Sequence, residues 1–331
     1  MIQFITNSVE ETQNIAKKLA QEVYPGTNIL FFAEMGSGKT HFIQSFLQAR
    51  GITESISSPT YQFVHSYKNN KETLAHYDLY RFEENQESIG IDEDFLDSDT
   101  TTLIEWAERL EVIPFPYIKI AFEKESETQR IITLQFFGFS LSDTQLKELI
   151  QFYRIPPHVQ NHINAVTQVA GEVCDNLLEQ GAIIDKKNIQ QAAQLHDLVR
   201  YIDFKGGLER SKFDYEVNND TWDFWVNMQE KHKGKHHADV VAEILKNKGF
   251  SDLGKIIIAH KSRYIFEGFN NTAEKILHYA DKRCAHDKIV PLQERIEDLK
   301  KRYWESKPDE VFWEDLFKKN LELEEELLKL N

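Results

Sequence analysis

Residues Asn28–Thr40 read NILFFAEMGSGKT. The run Ile29–Phe32 is apolar without alternation, and the turn Pro25-Gly26-Thr27 precedes it, so it has the form of a strand buried on both faces. Gly36 and Gly38 follow, then Lys39-Thr40, then HFIQSFLQARG (His41–Gly51), a helical stretch ended by its glycine. Strand, glycine-rich turn and helix are the setting of the phosphate loop GxxxxGK[ST], here with Ala33 in place of the first glycine. In such a loop the backbone N–H groups of Gly36, Ser37 and Gly38 face a phosphate, which glycine lets approach closely. Lys39 reaches the β- and γ-phosphates, and the Thr40 hydroxyl binds Mg²⁺. The competing reading, a glycine-rich turn with an accidental GKT, lacks the strand and helix on either side.

Working outward, Ile2–Ile5 is strand-like, and Ser8 with Glu11 forms a capping box for a helix through Ala20. Further strands are expected in YQFVHSY (61–67), TLAHYDLY (73–80), TTLIEW (101–106), YIKIAF (117–122) and RIITLQFF (130–137). Strands interleaved with helices predict an α/β layered domain over residues 1–138. Beyond Gly138 the β signal fades and long amphipathic stretches take over. A helix cap at Asp143 opens a second, all-α domain over 139–331. From about Gln293 the Glu- and Lys-rich helical spacing predicts an exposed helical flank.

Composition narrows the class. The 331 residues suffice for two domains, and 41% hydrophobic content suits packed cores. A net charge of −15 argues against tight, unaided nucleic-acid binding, which depends on neutralising phosphates. Cys174 and Cys284 lie far apart, outside any metal-ligand pairing, which fits a reducing compartment. The N-terminus does not resemble a secretory signal, and no run of about 18 apolar residues occurs. A cytoplasmic protein without a membrane span is expected.

A phosphate loop needs a carboxylate for Mg²⁺ and a group to orient the attacking water. Asp78 and Glu105 sit at the ends of apolar runs, though a lone acid there is more often an ordinary ion-pair partner. The ordered set ETQNIAKKL (11–19), AEMGSGKT (33–40), SSPTYQFVHSY (57–67), AHYDLYRF (75–82), IGIDE (89–93) and LIEWAERL (103–110) resembles the TsaE family, the small ATPase needed to make threonylcarbamoyladenosine in tRNA. The resemblance covers almost all of residues 1–138. It implies an α/β P-loop NTPase fold, ATP and Mg²⁺ as ligands, and action on a TsaB/TsaD-like protein complex. It implies that Lys39, Thr40 and Glu105 bind the Mg-nucleotide and that Asp78 is a catalytic carboxylate. It places Thr60 in a switch-like segment, Trp106 near the nucleotide and Thr12 near the base, and leaves the role of Glu93 open.

Only His41, His65 and His76 of the twelve histidines precede residue 150, which leaves nine in the second part. Imidazole is the commonest metal ligand, and a neighbouring carboxylate sets its tautomer. His196-Asp197 lies in AAQLHDLVRYIDF, on an apolar helical stretch. Adjacent helical residues point about 100° apart, so the pair meets one metal only at the helix flank. His162 upstream and Asp281 downstream complete two imidazoles and two carboxylates, a set suited to Mn, Fe, Ni, Co or Mg. His237 and His260 are positioned for a second metal subsite or for holding phosphate.

The order H…HD…H…H…D over roughly 145–290 resembles the HD-domain metal-dependent phosphohydrolases. The resemblance implies His162, His196, Asp197 and Asp281 as ligands of a divalent metal, and His237 and His260 as catalytic groups acting on a nucleotide substrate. His158 and His236 are rivals for the first and third positions. Lys205, Arg210 and Lys212 are read as solvated charges, and Trp222 and Trp225 as core. The alternative is a non-catalytic module that senses a nucleotide, or docks, and regulates the ATPase.

Overall fold

The computed structural model describes residues 1–59, 62–81, 94 and 97–328. They form two compact units, Met1–Phe139 with Gly181–Ile183, and Ser140–Gln180 with Ile184–Asn331.

The first unit is built on β2 (Asn28–Ala33), the strand before the phosphate loop. Seven strands among the described residues form one sheet in the order β1-β7-β6-β2-β5-β4-β3. These are β1 (Ile2–Thr6), β3 (Val64–Lys68), β4 (Thr73–Asp78), β5 (Thr100–Glu105), β6 (Tyr117–Lys124) and β7 (Arg130–Phe137), besides β2. The central strands β6, β2, β5 and β4 are parallel, and the pairings β1–β7, β6–β7 and β3–β4 are antiparallel. Burial on both faces explains the unbroken apolar run of β2. Ile29 and Phe31 pack with Ile15, Leu19, Phe42 and Phe46 of helices α1 (Val9–Glu22) and α2 (Lys39–Ala49), whereas Leu30 joins Ala75, Tyr77 and Ile104. Phe31 meets Phe42 edge-on at 5.7 Å, so Phe42→Ala would cost about 3–5 kcal/mol.

Helix α1 starts where Ser8 Oγ accepts from Glu11 N at 3.1 Å, but the Glu11 carboxylate caps Asn7 N at 2.7 Å rather than closing the box on Ser8. The strand expected over 61–67 runs instead from Val64 to Lys68.

The second unit is helical, apart from a short hairpin, β8 (Cys284–Ala285) with β9 (Lys288–Ile289). Its helices are α3 (Asp143–Tyr153), α4 (Pro157–Glu179), α5 (Lys186–Leu195), α6 (Asn219–Lys231), α7 (His237–Asn247), α8 (Ser251–Ile258), α9 (Tyr264–Glu267), α10 (Thr272–Lys282), α11 (Leu292–Tyr303) and α12 (Glu310–Leu328). The cap of α3 is Ser142, in a full capping box with Gln145, and Asp143 is the first helical residue. Helix α5 ends at Leu195, so His196-Asp197 stands in the turn after the helix rather than on it. The C-terminal helices are not an exposed flank: Leu292, Arg295 and Ile296 of α11, and Trp313, Leu316, Asn320, Leu323 and Leu327 of α12, are buried. The Glu and Lys residues form only their outer face. No helix among the described residues is long and apolar enough to cross a membrane.

Candidate functional sites

In the first unit the parallel strands β2, β5 and β4 end at one edge of the sheet, where open α/β sheets bind ligands. The loop after β2 turns through Gly36 (φ +74°) and Gly38 (φ +106°), backbone conformations that side-chain-bearing residues rarely adopt, and a Cβ at either would meet no atom within 4 Å. The loop therefore presents bare backbone to open space at the N-terminus of α2, which suits an anion. Ser37 Oγ is buried without a hydrogen-bond partner. Lys39 Nζ donates to Ala33 O at 2.7 Å and Glu34 O at 2.9 Å, and sits 4.2 Å over the Trp106 ring. Burial lowers the Lys39 pKa from its ordinary value, while the charges of Glu105, Glu108 and Asp78 oppose that shift.

Asp78 and Glu105 are register partners at the ends of β4 and β5. They share a cleft of about 420 Å³ with Gly36–Thr40 and Trp106. Asp78 accepts from Ser58 Oγ at 2.8 Å and from Tyr80 N at 3.0 Å. Glu105 Oε1 lies 2.9 Å from Nε2 of the fully buried His76. Trp106 turns out of β5 with a left-handed backbone (φ +59°).

Three residues singled out in the sequence are not seen in this cleft. Thr12 does not line this cleft among the described residues; its hydroxyl joins Thr6 Oγ1 at 3.0 Å and Ser8 O at 3.2 Å, tying β1 to α1. Thr60 and Glu93 lie outside the described residues. Sequence reasoning also passed over His76, Ser58 and Arg130, whose Nε donates to Ser37 O at 2.9 Å and braces the loop from β7. A histidine two residues before Asp78 in an apolar strand was the available signal for the first.

In the second unit six side chains converge from five segments. His162 comes from α4, His196 and Asp197 from the turn after α5, His237 from the first turn of α7, His260 from the turn after α8, and Asp281 from α10. The packing of α7 on α8 is tight, since a Cβ on Gly254 would lie 3.1 Å from Ala242 Cα. That close approach helps to bring His237 Nε2 within 3.2 Å of His260 Nε2.

Backbone carbonyls set the tautomers. His162 Nδ1 donates to His286 O at 2.8 Å, His196 Nδ1 to Ala193 O at 2.7 Å, and His260 Nδ1 to Ile257 O at 2.7 Å. His237 Nδ1 meets Asp203 Oδ2 at 2.8 Å. All four rings thus turn Nε2 inward, the arrangement that orients metal-ligating imidazole. His196 Nε2 is buried without a partner.

The donors fall into two groups, His162–His196–Asp281 and Asp197–His237–His260, each within 4.8 Å. In the first, His162 Nε2 is 3.1 Å and His196 Nε2 3.9 Å from Asp281 Oδ1, while Asp197 Oδ2 lies 4.0 and 3.8 Å from the two rings. In the second, His237 Nε2 is 2.9 Å from Asp197 Oδ1. Ligands held about 2.0–2.2 Å from one ion sit roughly 3–4 Å apart, so this N/O set fits a divalent metal in each group.

Burial opposes charge throughout the cluster. It holds His196 and His260 below the ordinary imidazole range, His260 furthest. At His162 and His237 burial is outweighed, by Asp281 and Asp197 respectively, and both are raised. Asp197 and Asp281 stay well below the usual carboxylate range despite burial, Asp197 through His196 and His237 and Asp281 through Lys282 and His162.

The rivals line the two clefts beside the six donors, and His236 forms a further trio with His237 and Asp203. His158 Nδ1 meets Tyr215 Oη at 3.1 Å, and His236 Nδ1 accepts from Ala238 N as the cap of α7. Trp225 is core, its indole donating to Arg154 O. Lys205, Arg210 and Lys212 are exposed, as expected, and Lys205 and Lys212 also line a cleft beside the cluster. Asp203, Arg200, Lys282 and Arg295 were missed. Asp203, an acid six residues after Asp197 in the apolar run LVRYIDF, could have been noticed; Arg295 reaches the site only through the tertiary fold.

Sheet order, loop geometry and paired strand-end carboxylates make the first unit a P-loop α/β protein. A family model described as threonylcarbamoyl adenosine biosynthesis protein TsaE matches residues 6–132. The tRNA threonylcarbamoyladenosine biosynthesis protein TsaE of Bacillus subtilis (strain 168) is 33% identical over 134 residues, 40% of this chain and 84% of that protein. The protein of the same name from Rickettsia bellii (strain RML369-C) is 34% identical over 136 residues, 40% of this chain and 93% of its own. The crystal structure of Bacillus subtilis YdiB aligns at 28% identity over 41% of this chain and 86% of that one, with a TM-score of 0.36. The chain belongs to the TsaE family, through its first unit.

Proposed function

We propose that the first unit is a Mg²⁺-dependent ATPase serving threonylcarbamoyladenosine formation in tRNA together with a TsaB/TsaD-like complex. The curated relatives carry that biosynthetic role in their names. The observation that carries the ATPase reading is the open glycine backbone beside Lys39, facing the Asp78–Glu105 pair across one cleft. Gly36, Ser37, Gly38 and Lys39 hold the phosphates, and Trp106 shields Lys39 from water. Thr40 and Glu105 are the residues that would hold Mg²⁺, and Asp78, fixed by Ser58 and Tyr80 N, orients the attacking water. Measuring ATP hydrolysis by the full chain, with and without Mg²⁺, tests this; nucleotide binding without any turnover, alone or with the partner complex, would refute it.

The second unit we read as a metal-dependent phosphohydrolase of the HD type acting on a nucleotide. Asp197 carries the reading, since its two carboxylate oxygens address two groups of inward-facing imidazoles. His162, His196, Asp281 and Asp197 Oδ2 would hold one divalent ion, and His237, His260 and Asp197 Oδ1 a second. Of the two roles open to His237 and His260, the shared Asp197 favours metal ligation over direct phosphate contact. Metal there supplies Lewis acidity toward a phosphoryl oxygen. Lys282, Arg200 and Arg295 line the adjoining cleft and balance phosphate charge, and Asp203 fixes the ring of His237. Asp197→Ala separates this from the regulatory alternative: loss of phosphoester hydrolysis supports the enzyme, whereas altered ATPase control in a chain that never hydrolyses phosphoesters supports the module.

A further inference from the structure

Two clefts meet at the histidine–aspartate cluster, of about 620 and 490 Å³. Each alone is the size of an ordinary small-ligand site, roughly 300–1,000 Å³. They share His162, Asp197, Arg200, Arg295, Leu299 and Tyr303 as walls, then diverge. The first runs past Phe204 and Phe213, with Lys205 Nζ 5.6 Å from the Tyr303 ring on its wall. The second runs past Trp313 and Phe312, with Lys307 Nζ 3.4 Å over the Phe312 ring. Each arm therefore carries its own aromatic face and its own cation, in a chain whose net charge is −15.

Arg295 stands at the junction. It is 8% exposed, Nη1 reaches Asp298 at 3.0 Å, and Nε is buried without a partner. Its guanidinium lines both clefts, so an anion lying between them would gain a charge-assisted contact. A mononucleotide would occupy one arm and leave the aromatic ring and cation of the other unused.

We propose that the substrate is two-ended: a phosphate chain carrying an aromatic base at each end, as in a dinucleoside polyphosphate. The inference rests on the phosphohydrolase reading above and names its substrate class. The chain lies across Arg200 and Arg295 with one P–O–P link at the cluster, and a base enters each arm. Water adds to one phosphorus, the bridging P–O bond breaks, and the proton released by water ends on the leaving phosphate. The two nucleotide products together equal the substrate plus one water.

The test uses the full chain carrying Lys39→Ala, which silences the phosphate loop, with Mn²⁺ and three substrates: diadenosine tetraphosphate, ATP and AMP. The expected result is a kcat/KM for the two-ended substrate at least tenfold above either mononucleotide. Phe213→Ala in one arm and Phe312→Ala in the other should each lower it about tenfold, mainly through KM, in line with the loss of one stacked base. Lys307→Glu at its exposed position is the companion should Phe312→Ala fold poorly, with a loss in the same direction. Mononucleotides hydrolysed as well as the two-ended substrate, or second-arm variants without effect on it, overturn the inference and leave the phosphohydrolase standing. No turnover of any substrate overturns both.

Discussion

Asp197 meets His237 Nε2 at 2.9 Å through Oδ1, which leaves Oδ2 turned toward His162 and His196 at 4.0 and 3.8 Å. One carboxylate thus faces both groups of histidines. The pair follows directly on α5, which ends at Leu195. In the turn His196 is anchored by Ala193 O while Asp197 stands between the groups.

Asp203 holds His237 through its side chain, and its Oδ2 also accepts His237 N at 3.1 Å. Asp203→Ala should lower the affinity of the second metal about 10- to 100-fold and leave the first nearly unchanged, as expected for loss of a ligand's orienting partner. Manganese titration followed by calorimetry resolves the two steps; equal affinities in variant and parent would show that Asp203 does not serve the site.

For the phosphate loop, Lys39→Ala should weaken ATP binding and reduce turnover at least about 100-fold, since the only side-chain cation of the GKT segment is lost. Glu105→Gln should reduce turnover comparably while the fold stays intact, because the amide still reaches His76 Nε2. Glu105→Ala should in addition cost about 1–3 kcal/mol by stranding His76 in the core. Thermal melts beside ATPase assays distinguish the two; equal stability of the Gln and Ala variants contradicts the pairing.

His278 supplies a pH signature. Burial, then the charge of Lys282, pushes its pKa down to about 3, while Nδ1 donates to Ala259 O. The unfolded chain takes up this proton near pH 6.5 and the folded chain does not, so stability rises with pH in this range. The contribution is complete above about pH 6.5 and is lost at about 1.4 kcal/mol per pH unit as the pH falls toward 3. His278→Gln should flatten the acid limb of the stability curve by about one proton's worth; an unchanged slope sinks the assignment.

Much of this was legible because its causes are local. The run Asn28–Thr40 carried a buried strand, a glycine turn and a helix start in consecutive residues, and β4 to β7 announced themselves by apolar runs close to their final bounds. The six H/D residues of the second unit were named from their order, their spacing and the resemblance to HD-domain phosphohydrolases, and the fold brings them together. What stayed hidden depends on tertiary packing. Nothing near Arg295 in sequence marks it as a neighbour of His162, although Lys282, directly after Asp281, could have been noticed, and the amphipathic C-terminal helices looked exposed because their Glu and Lys residues outnumber a narrow apolar stripe. Asp143 was misplaced by one residue because Ser and Asp both cap helices, and Ser142 is the one whose oxygen faces the N–H of Gln145.

The central claim is that one helical unit holds two divalent ions through a shared Asp197. The most direct measurement is metal content of the full chain after equilibration with Mn²⁺ and removal of free ion, compared with Asp197→Asn under the same conditions. Two equivalents per chain in the parent and less than one in the variant are predicted, with phosphoester hydrolysis lost in parallel. A parent chain that retains no manganese, or a variant that retains as much as the parent, would contradict the account.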